Sequence, residues 1–362
     1  MTACEPGGVE IEIHRGPLAD LLDDWEGVFA ADPRATPFVS PAWGRVWWEH
    51  WGVGADLWAA VVRDGARTVG LAPLIAQRVG PFRLLRVLGG EPGDYWDVLS
   101  VPERRSEVLD ALCDELARLS GSWDVMLLDA LSPGTETDAA LERHSALRVS
   151  RRPPVVCPAI ELPHSFDDYL ASLPRKRRGN LQRHLRRLDG GELELRELSG
   201  EGELRSAIRR WHEIRERQWR AKRRRMYGLQ VTARFRDFIA DVVVALVPAG
   251  MASLWEFRSH GEVVGLNLNF HDPRSFYWYL GGYEPEFGSL GIGKVAIGHA
   301  IRSSIAAGRS LYDFTRDPEP YKYWYGAEDR ISPSMLAAAP GARGAVALAA
   351  AKSLARLRRI RG

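Results

Sequence analysis

The sequence carries one pattern of secondary-structure signals twice. In each half, two apolar runs flank a turn typical of a β-hairpin, Asp64-Gly65 in the first half and His260-Gly261 in the second. Each hairpin is followed by a strand ending in Leu-Gly-Gly, then by a helical stretch, and then by one more strand. Because such self-similarity constrains a fold more than any single motif, we predict an α/β (α+β) mixed-sheet protein built from two tandem copies of one module.

The equivalent elements follow in the same order in the two halves. The strands end at Leu88 to Gly90 and at Leu280 to Gly282, the helices are predicted at 106–119 and 293–307, and the last strands begin at Trp123 and Ser310. A chain of 362 residues is long enough for two domains, each with its own core. We therefore place the first module at residues 1–155, the second at 156–334 and a basic, alanine-rich C-terminal helix or tail at 335–362.

A helical region lies between the two copies. It opens with Ser165, and Asp168 follows three residues later, a variant of the capping box that begins helices. Further on, six apolar residues recur at helical spacing, namely Phe235, Phe238, Ile239, Val242, Val243 and Leu246. We expect this stripe to belong to the core of the second module.

Composition excludes several classes of protein. The net charge of +2 indicates that the molecule as a whole is not an electrostatic binder of nucleic acid. The three cysteines, Cys4, Cys113 and Cys157, lie far apart and lack metal-ligand spacing, which predicts reduced thiols and no metal. The N-terminal stretch is acidic and broken by proline and glycine, unlike a signal peptide, and no uncharged apolar run is long enough to span a membrane. We therefore expect a cytoplasmic protein.

The stretch from Gly288 to Ala296 fits three phosphate-binding patterns. Counted from Gly288, it has the G-x-x-x-x-G-K spacing of a nucleoside triphosphate loop. Counted from Gly291, it has the G-x-G-x-x-A spacing of a dinucleotide fold, with Asp313 about twenty residues further on. The third pattern also starts at Gly288. It is the basic-x-x-G-x-G/A spacing of the turn that holds the pyrophosphate of coenzyme A in acyltransferases. The three patterns predict three different kinds of enzyme.

Sequence context favours the coenzyme A turn. A triphosphate loop needs a hydroxyl side chain after its lysine to coordinate magnesium, but Val295 follows Lys294. A dinucleotide fingerprint opens a series of alternating strands and helices, whereas Gly291 follows a hairpin and precedes strand-poor sequence. The alternative is a strand-to-helix turn that binds nothing. The predicted donor-binding residues are Gly288, Ser289, Gly291, Gly293 and Lys294.

Three stretches carry a resemblance to a known family, FVSPAWGRVWWEHW from Phe38, LPRKRRGNLQRHLRRL from Leu173 and LYDFTRDPEPYKYWYG from Leu311. The sequence resembles the CelD-like, cellulose-biosynthesis-associated acetyltransferases of the GNAT superfamily, which are related in architecture to the Fem-type peptidoglycan aminoacyltransferases. The resemblance implies two tandem GNAT-like modules, the first degenerate and the second holding the acyl donor, acetyl-CoA or another acyl-CoA. One departure is Gly288, which stands where many acyltransferases place a basic residue.

Acyl transfer from a thioester to an amine requires a group that deprotonates the acceptor and one that protonates the departing thiolate. Asp313, at the end of the strand beside the glycine turn, is the first candidate for the base, with capping of the next turn as the alternative. Glu256 is a second candidate for the same role. The candidate acids are the phenols of Tyr321, Tyr323 and Tyr325, of which we select Tyr325. If this segment is a strand, all three phenols face one way.

Basic residues offer partners for anionic substrates. Lys322 is predicted to contact an anionic substrate or donor phosphate, and Arg177, Arg178 and Asn180 to line a cleft between the modules and hold an anionic acceptor. The two basic segments comprise Arg175, Lys176, Arg177, Arg178, Arg183, Arg186 and Arg187, and then Arg220, Lys222, Arg223, Arg224 and Arg225, with Trp211, Trp219 and Tyr227 near the second. Such segments also suit RNA phosphates and bases, or form solvated helix faces.

The sequence thus predicts an acyltransferase that uses acyl-CoA and acts on an amine or hydroxyl of a sugar, an amino acid or an envelope precursor. Two alternatives stay open, an enzyme that takes its acyl group from aminoacyl-tRNA, as Fem-type relatives do, and an inactive scaffold. The expected partner is a small-molecule or glycan-precursor acceptor. The basic C-terminal tail either docks on its own domain or contacts a membrane surface.

Overall fold

The computed structural model describes residues 8–221 and 232–361, with side chains described up to residue 354. The chain divides into two compact units, one formed by Met1–Val155 with Ile331–Gly362 and the other by Val156–Arg330. Some predicted features lie outside the described residues, namely those at Cys4, Lys222, Arg223, Arg224, Arg225 and Tyr227.

The first unit contains two sheets. Its strands are β1 (Glu10–His14), β2 (Asp56–Leu57), β3 (Ala59–Asp64), β4 (Arg67–Ala72), β5 (Leu74–Val79), β6 (Phe82–Val87), β7 (Leu99–Ser100), β8 (Val125–Leu128), β9 (Arg148–Arg151) and β17 (Met335–Ala338). The strand order is β1-β3-β4-β7 in the four-stranded sheet and β2-β5-β6-β8-β17-β9 in the six-stranded sheet. Its helices are α1 (Leu22–Ala31), α2 (Pro41–Trp51), α3 (Arg105–Arg118), α4 (Thr137–Arg143) and α11 (Ala342–Arg361).

The second unit is built on one seven-stranded sheet with the order β11-β12-β13-β14-β15-β10-β16. These strands are β10 (Val155–Glu161), β11 (Glu194–Leu198), β12 (Ala252–Ser259), β13 (Glu262–His271), β14 (Ser275–Tyr283), β15 (Leu311–Asp313) and β16 (Glu328–Ser332). The helices are α5 (Phe166–Ser172), α6 (Arg175–Asp189), α7 (Glu201–Ala221), α8 (Ala233–Leu246), α9 (Ile292–Ala306) and α10 (Pro320–Tyr323).

Helices cover both faces of this sheet. In β13, Leu266 lies opposite Gly282 of β14, while the adjacent Gly265 lies opposite Tyr283, so the two pairs point to opposite faces. A Cβ atom at Gly282 would meet side chains of α7, whereas a Cβ atom at Gly265 would meet Ile292 of α9 at 2.9 Å. Helices α7 and α9 therefore lie on opposite faces, which explains why β12 and β13 are almost continuously buried.

The predicted local signals are present in the structure. Both hairpins form, β3–β4 around Gly65 and β12–β13 around Gly261, and both glycines have positive φ. The Ser165 side chain accepts a hydrogen bond from the Asp168 N–H and begins α5, although Pro174 ends that helical stretch and starts α6 as a separate helix. The predicted apolar stripe of α8 is fully buried.

The two units share one structural relationship, a pair of parallel strands joined through a helix. In the first unit β6 pairs in parallel with β8, and in the second β14 pairs in parallel with β15. The first unit differs where Pro73 separates β4 from β5, so its strands fall into two sheets rather than one. The repeat predicted from the sequence is thus present, with an interruption in its first copy.

The C-terminal segment returns to the first unit instead of forming a separate tail. Strand β17 pairs antiparallel with both β8 and β9, so residues 335–338 complete the six-stranded sheet. Helix α11 then packs on this sheet through Ala347 and Leu348, which lie against Val125 and Leu336. The sequence boundary at residue 334 was set by turn and composition signals, which carry no information about this long-range pairing.

The described part of the chain has no helix that is long and apolar enough to cross a bilayer. Among the same residues, no three His, Cys, Asp or Glu side chains are grouped as metal ligands. Cys113 and Cys157 are buried, and neither forms a disulfide in the described part of the chain.

Candidate active site

Strands β14 and β15 separate after a short parallel pairing. They are paired only at Ser275–Tyr277 and Leu311–Asp313, while β14 continues to Tyr283. The Thr315 hydroxyl donates to the Trp278 carbonyl at 3.3 Å just beyond the point of separation. The register between β13 and β14 also shifts here, at Leu268 and Asn269, which places a β-bulge at Tyr279. The end of β14 consequently leaves backbone groups available along one edge, as bulged strands beside functional sites do.

The glycine turn leads from this strand into α9. A short 3-10 segment, Pro285–Leu290, ends at Gly291, which has φ 65° and ψ 38° and is the N-cap of α9. The backbone N–H groups in the first turn of a helix lack intrahelical acceptors and carry the positive end of the helix dipole. A Cβ atom at Gly293 would meet no atom within 4 Å, and one at Gly288 would meet only Tyr283 at that distance. The turn is therefore open to an approaching anion.

Charged side chains surround the glycine turn. Lys294 is exposed, with its ammonium 5.9 Å from the ring centre of Trp324. Arg187 of α6 donates to the Ser289 carbonyl at 2.8 Å. His184 of α6 lies directly against Gly291, and desolvation together with the positive charges of Lys294 and Arg187 lowers its pKa. The five predicted donor-binding residues thus lie in one continuous turn that has the cationic side chains of Lys294 and Arg187 beside it.

Asp313 is buried at the end of β15. Its Oδ1 accepts a hydrogen bond from the Thr315 N–H at 2.7 Å, and its Oδ2 lies 3.6 Å from the guanidinium of Arg330. The capping contact named as the alternative role is therefore present. Because Asp313 lies beside Tyr277 in register, and Tyr312 belongs to the core under α9, the Asp313 side chain points to the α7 face.

Glu256 does not join Asp313 in one site. It lies on β12, and two strands, β13 and β14, stand between β12 and β15. Strands are spaced by about 5 Å, so the two carboxylates are separated by roughly 14 Å across the sheet. Glu256 instead forms an ion pair of 2.7 Å with Arg258 on its own strand.

The tyrosine segment is a short helix, not a strand. Pro320 begins α10, whose turn places Tyr321 and Tyr325 on the same side, against Phe314, and Tyr323 on another side. Tyr325 is buried in the core beside Phe314, and its carbonyl accepts from the Tyr169 hydroxyl. Burial raises the pKa of Tyr325. Tyr323 donates to Asp329, and Tyr321 is 43% exposed, although desolvation of its phenol raises its pKa as well.

Lys322 has a structural role in place of the predicted anion contact. Its side chain is only 2% exposed, and its ammonium donates to the carbonyls of Arg316 at 2.6 Å and Asp317 at 2.7 Å. It also pairs with Glu319 at 2.9 Å. The ammonium is thus used to hold the turn between β15 and α10. The sequence around Lys322 does not predict this structural role, because the acceptors are backbone carbonyls, which every residue has.

The residues predicted to hold the acceptor lie on α6. Arg177 donates to the carbonyls of Tyr323 and Trp324, so its guanidinium supports the turn after α10. Arg178 is partly buried and forms no ion pair with another described residue. Asn180 has a buried Oδ1 without a hydrogen-bond partner in the described part of the chain. Their predicted contact with an acceptor stays a prediction.

Sequence reasoning missed a polar row on the inner face of α7. The row consists of Trp211, Arg215 and Gln218, each with a buried polar atom that lacks a partner among the described residues. The available signal was an arginine and a glutamine at positions where the helical period requires apolar residues, between Ile214 and Trp219. His184 was also missed, since nothing in its local sequence indicates contact with Gly291.

The family comparison matches the part of the chain that contains these features. Residues 175–323 match the model of the acetyltransferase (GNAT) domain, a range that includes the glycine turn, Asp313 and α10. A search of curated proteins gave no significant match to the sequence.

Solved structures match the chain over almost its whole length. The structure of FemX is 12% identical, with a TM-score of 0.64, and the match covers 90% of this chain and 96% of that one. The C-terminal domain (DUF2156) of a putative lysylphosphatidylglycerol synthetase from Agrobacterium fabrum is 11% identical, with a TM-score of 0.56 and coverage of 93% and 98%. L-PGS from Bacillus licheniformis is 13% identical, with a TM-score of 0.50 and coverage of 83% and 91%.

At such low identities these similarities concern the fold alone. They agree with the repeated strand, helix and strand order and with the helix-covered mixed sheet of the second unit. The chain therefore has a mixed α/β fold of two related units, which it shares with FemX, and its residues 175–323 match the acetyltransferase (GNAT) domain model.

Proposed function

We propose that the second unit transfers an acyl group from acyl-CoA to an amine or hydroxyl of a small-molecule or glycan-precursor acceptor. The observation that carries this proposal is the open N-terminus of α9, which follows Gly291 beside the end of β14, where β14 pairs with β13 but no longer with β15. Free N–H groups, a helix dipole and the exposed ammonium of Lys294 together suit a pyrophosphate. The GNAT domain match over the same residues supports it.

The position of Asp313 suits a role toward the acceptor. In the transfer, the acceptor atom attacks the thioester carbon, the carbon–sulfur bond breaks, and the departing thiolate takes up a proton. Asp313 lies at the point where β14 and β15 separate and faces α7, on the side of the sheet opposite α9. A carboxylate there can orient the acceptor or take its proton. The departing thiolate also needs a proton donor. The exposed Tyr321 is better placed for this role than Tyr325, which lies in the core.

The family resemblance refines the proposal. The segment LYDFTRDPEPYKYWYG contains Asp313, the turn held by Lys322 and all of α10. It is similar to the end motif of the CelD-like acetyltransferases, so we infer that the acceptor is a precursor of an envelope component or polysaccharide.

A direct test is calorimetric titration with acetyl-CoA and with a longer acyl-CoA. We expect micromolar binding, about −8 kcal/mol, to the wild-type protein. Gly293→Asp, which places a carboxylate in open space at the second residue of α9, should weaken binding at least about tenfold by charge repulsion. Gly202→Asp is the matched control, because Gly202 is the second residue of α7 and also has no neighbour within 4 Å.

A second candidate is transfer from aminoacyl-tRNA. Five basic side chains of α6 form no ion pair or hydrogen bond with other described residues, namely Arg175, Lys176, Arg178, Arg183 and Arg186. Such a surface suits RNA phosphates, and the chain shares its fold with FemX. No heat with either acyl-CoA, but salt-sensitive tRNA binding that Arg183→Gln weakens, would favour this candidate. Binding of neither donor by folded protein would leave the inactive scaffold.

A further inference from the structure

Three successive turns of α7 place buried, unpartnered polar atoms on one helical face. They are Nε1 of Trp211, Nε of Arg215 and Oε1 of Gln218, none of which has a hydrogen-bond partner in the described ranges 8–221 and 232–361. Trp211 is 1% exposed and Gln218 is 5% exposed. Leaving a buried polar group unpaired costs about 1–3 kcal/mol, so a polar ligand that pairs with these two donors and one acceptor gains free energy on binding.

Arg215 is the centre of this row. Its guanidinium lies 5.9 Å from the ring centre of Trp211 and 5.7 Å from that of Trp219, and its Cδ lies against Gly282 of β14. No carboxylate within the described residues forms an ion pair with it. Desolvation accordingly lowers the pKa of Arg215, an effect that the nearby Glu319 partly opposes.

The charge of Arg215 is not neutralised by its surroundings. Glu319 is already paired with the buried Lys322 at 2.9 Å, so those two charges cancel. One positive charge is left between two indole rings, where the low polarity strengthens any ion pair. A single uncompensated charge matches a monoanion, and the planar guanidinium matches a carboxylate in two-point contact.

This row lies on the face of the sheet that Asp313 also faces. Gly282, which contacts Arg215, points to the α7 face, as does Asp313. The glycine turn and α9 lie on the other face, where the donor phosphates are placed under the proposed function. An anion held by Arg215 is therefore on the acceptor side of the strand separation.

We propose that Arg215 binds the carboxylate of the acceptor, and that the acceptor is an amine carrying a carboxylate, such as an amino acid or a small peptide. Trp211 donates its indole N–H to the same ligand, and Gln218 accepts from an N–H of it. The assignment of this ligand as the acceptor rests on the proposed function. The chemistry of the site, one cation with aromatic walls, rests on the geometry alone.

The test compares amines with and without a carboxylate. A panel of L-amino acids and glycylglycine, each paired with its carboxamide, is titrated calorimetrically into the full-length protein. The variants are Arg215→Gln, Arg215→Lys and, as a matched control, Arg210→Gln on the solvent side of the same helix. Thermal unfolding of each variant establishes that it is folded, and an acyl-CoA titration of each reports on the donor site separately.

We expect at least one carboxylate-bearing amine to bind about tenfold or more tightly than its carboxamide. Arg215→Gln should abolish this discrimination, Arg215→Lys should retain part of it, and Arg210→Gln should retain all of it. Equal binding of acids and amides, discrimination that survives in Arg215→Gln, or absence of binding by every carboxylate in the panel would overturn the assignment. Binding of glucosamine 6-phosphate in place of the carboxylates would do the same.

The outcome is separable from that of the proposed function. If the carboxylate pattern appears but no acyl-CoA binds, the anion site stands and the donor assignment fails. If acyl-CoA binds equally to wild type and Arg215→Gln while acids and amides are not distinguished, the donor assignment stands and the inference about Arg215 fails.

Discussion

A Cβ atom at Gly291 would lie 2.6 Å from Cε1 and 2.7 Å from Nδ1 of His184. Gly291 also has φ 65°, a conformation that costs side chains other than glycine about 1 kcal/mol or more. We therefore expect Gly291→Ala to lower the free energy of unfolding by about 2–3 kcal/mol, measured by urea denaturation, and to weaken acyl-CoA binding because the turn is displaced.

Gly293→Ala is the matched control for this prediction. Gly293 lies in the helix and has no neighbour within 4 Å, so alanine there should leave stability unchanged or raise it by up to about 1 kcal/mol. If the two alanine substitutions change the free energy of unfolding equally, neither the positive φ of Gly291 nor its contact with His184 explains why glycine stands there.

Removing the ammonium of Lys322 should destabilise the second unit. In Lys322→Met the carbonyls of Arg316 and Asp317 lose their buried donor, which we expect to cost about 3 kcal/mol. Chemical denaturation measures the change, with Lys352→Met on the exposed side of α11 as the control. If Lys322→Met is as stable as wild type but binds substrate more weakly, the result would support the substrate contact of Lys322 that the sequence predicts.

Two asparagines on β13 should respond in opposite ways to the same substitution. Asn267 donates to the Leu280 carbonyl at 2.7 Å, whereas Asn269 is fully buried and neither of its side-chain polar atoms has a described partner. We expect Asn269→Leu to raise the free energy of unfolding by about 1 kcal/mol and Asn267→Leu to lower it by about 1–2 kcal/mol. Should Asn269→Leu be destabilising in urea, the amide must bond a water or ligand.

Two buried imidazoles should make stability depend on pH. Desolvation lowers the pKa of His271 and of His299 to about 4, with Arg309 and Arg302 adding to the effect. In the unfolded chain both groups titrate near the ordinary value of 6.5. The unfolded chain thus binds more protons between these values, and the free energy of unfolding should fall as pH is lowered from about 6.5 to about 4.

His299→Gln isolates one of these contributions. We expect it to reduce the dependence of unfolding free energy on pH in this window relative to wild type. Comparison with wild type is needed because burial raises the pKa of Asp272, which acts with the opposite sign. A slope unaffected by His299→Gln would mean that folding does not lower the pKa of His299.

Local chemistry accounts for what the sequence predicted well. The two hairpins follow from Gly65 and Gly261, the start of α5 follows from Ser165, and the buried stripe of α8 follows from its helical period. The glycine turn was located because strand, glycines and helix are consecutive in the chain. In each case the determining residues lie within one turn or one helix of each other.

Contacts between distant segments account for what it did not predict. The four-residue helix α10 is held by Lys322 and by Arg177, whose partners are backbone carbonyls with no sequence signature. Glu256 and Asp313 looked equivalent as carboxylates at strand positions, but strand order keeps them apart. Arg215 is unusual because of its surroundings, two indole rings and strand β14. The sequence of α7 does not show that this side of the helix packs against β14.

The pairing of β17 with β8 and β9 has a consequence for the order of events at the ribosome. Residues 335–338 are synthesised after all of the second unit. The six-stranded sheet of the first unit therefore lacks β17, between β8 and β9, until the second unit has been synthesised. The entry and exit strands of that domain, β10 and β16, are neighbours in its own sheet. During synthesis, the second unit can therefore complete its sheet before the first unit does.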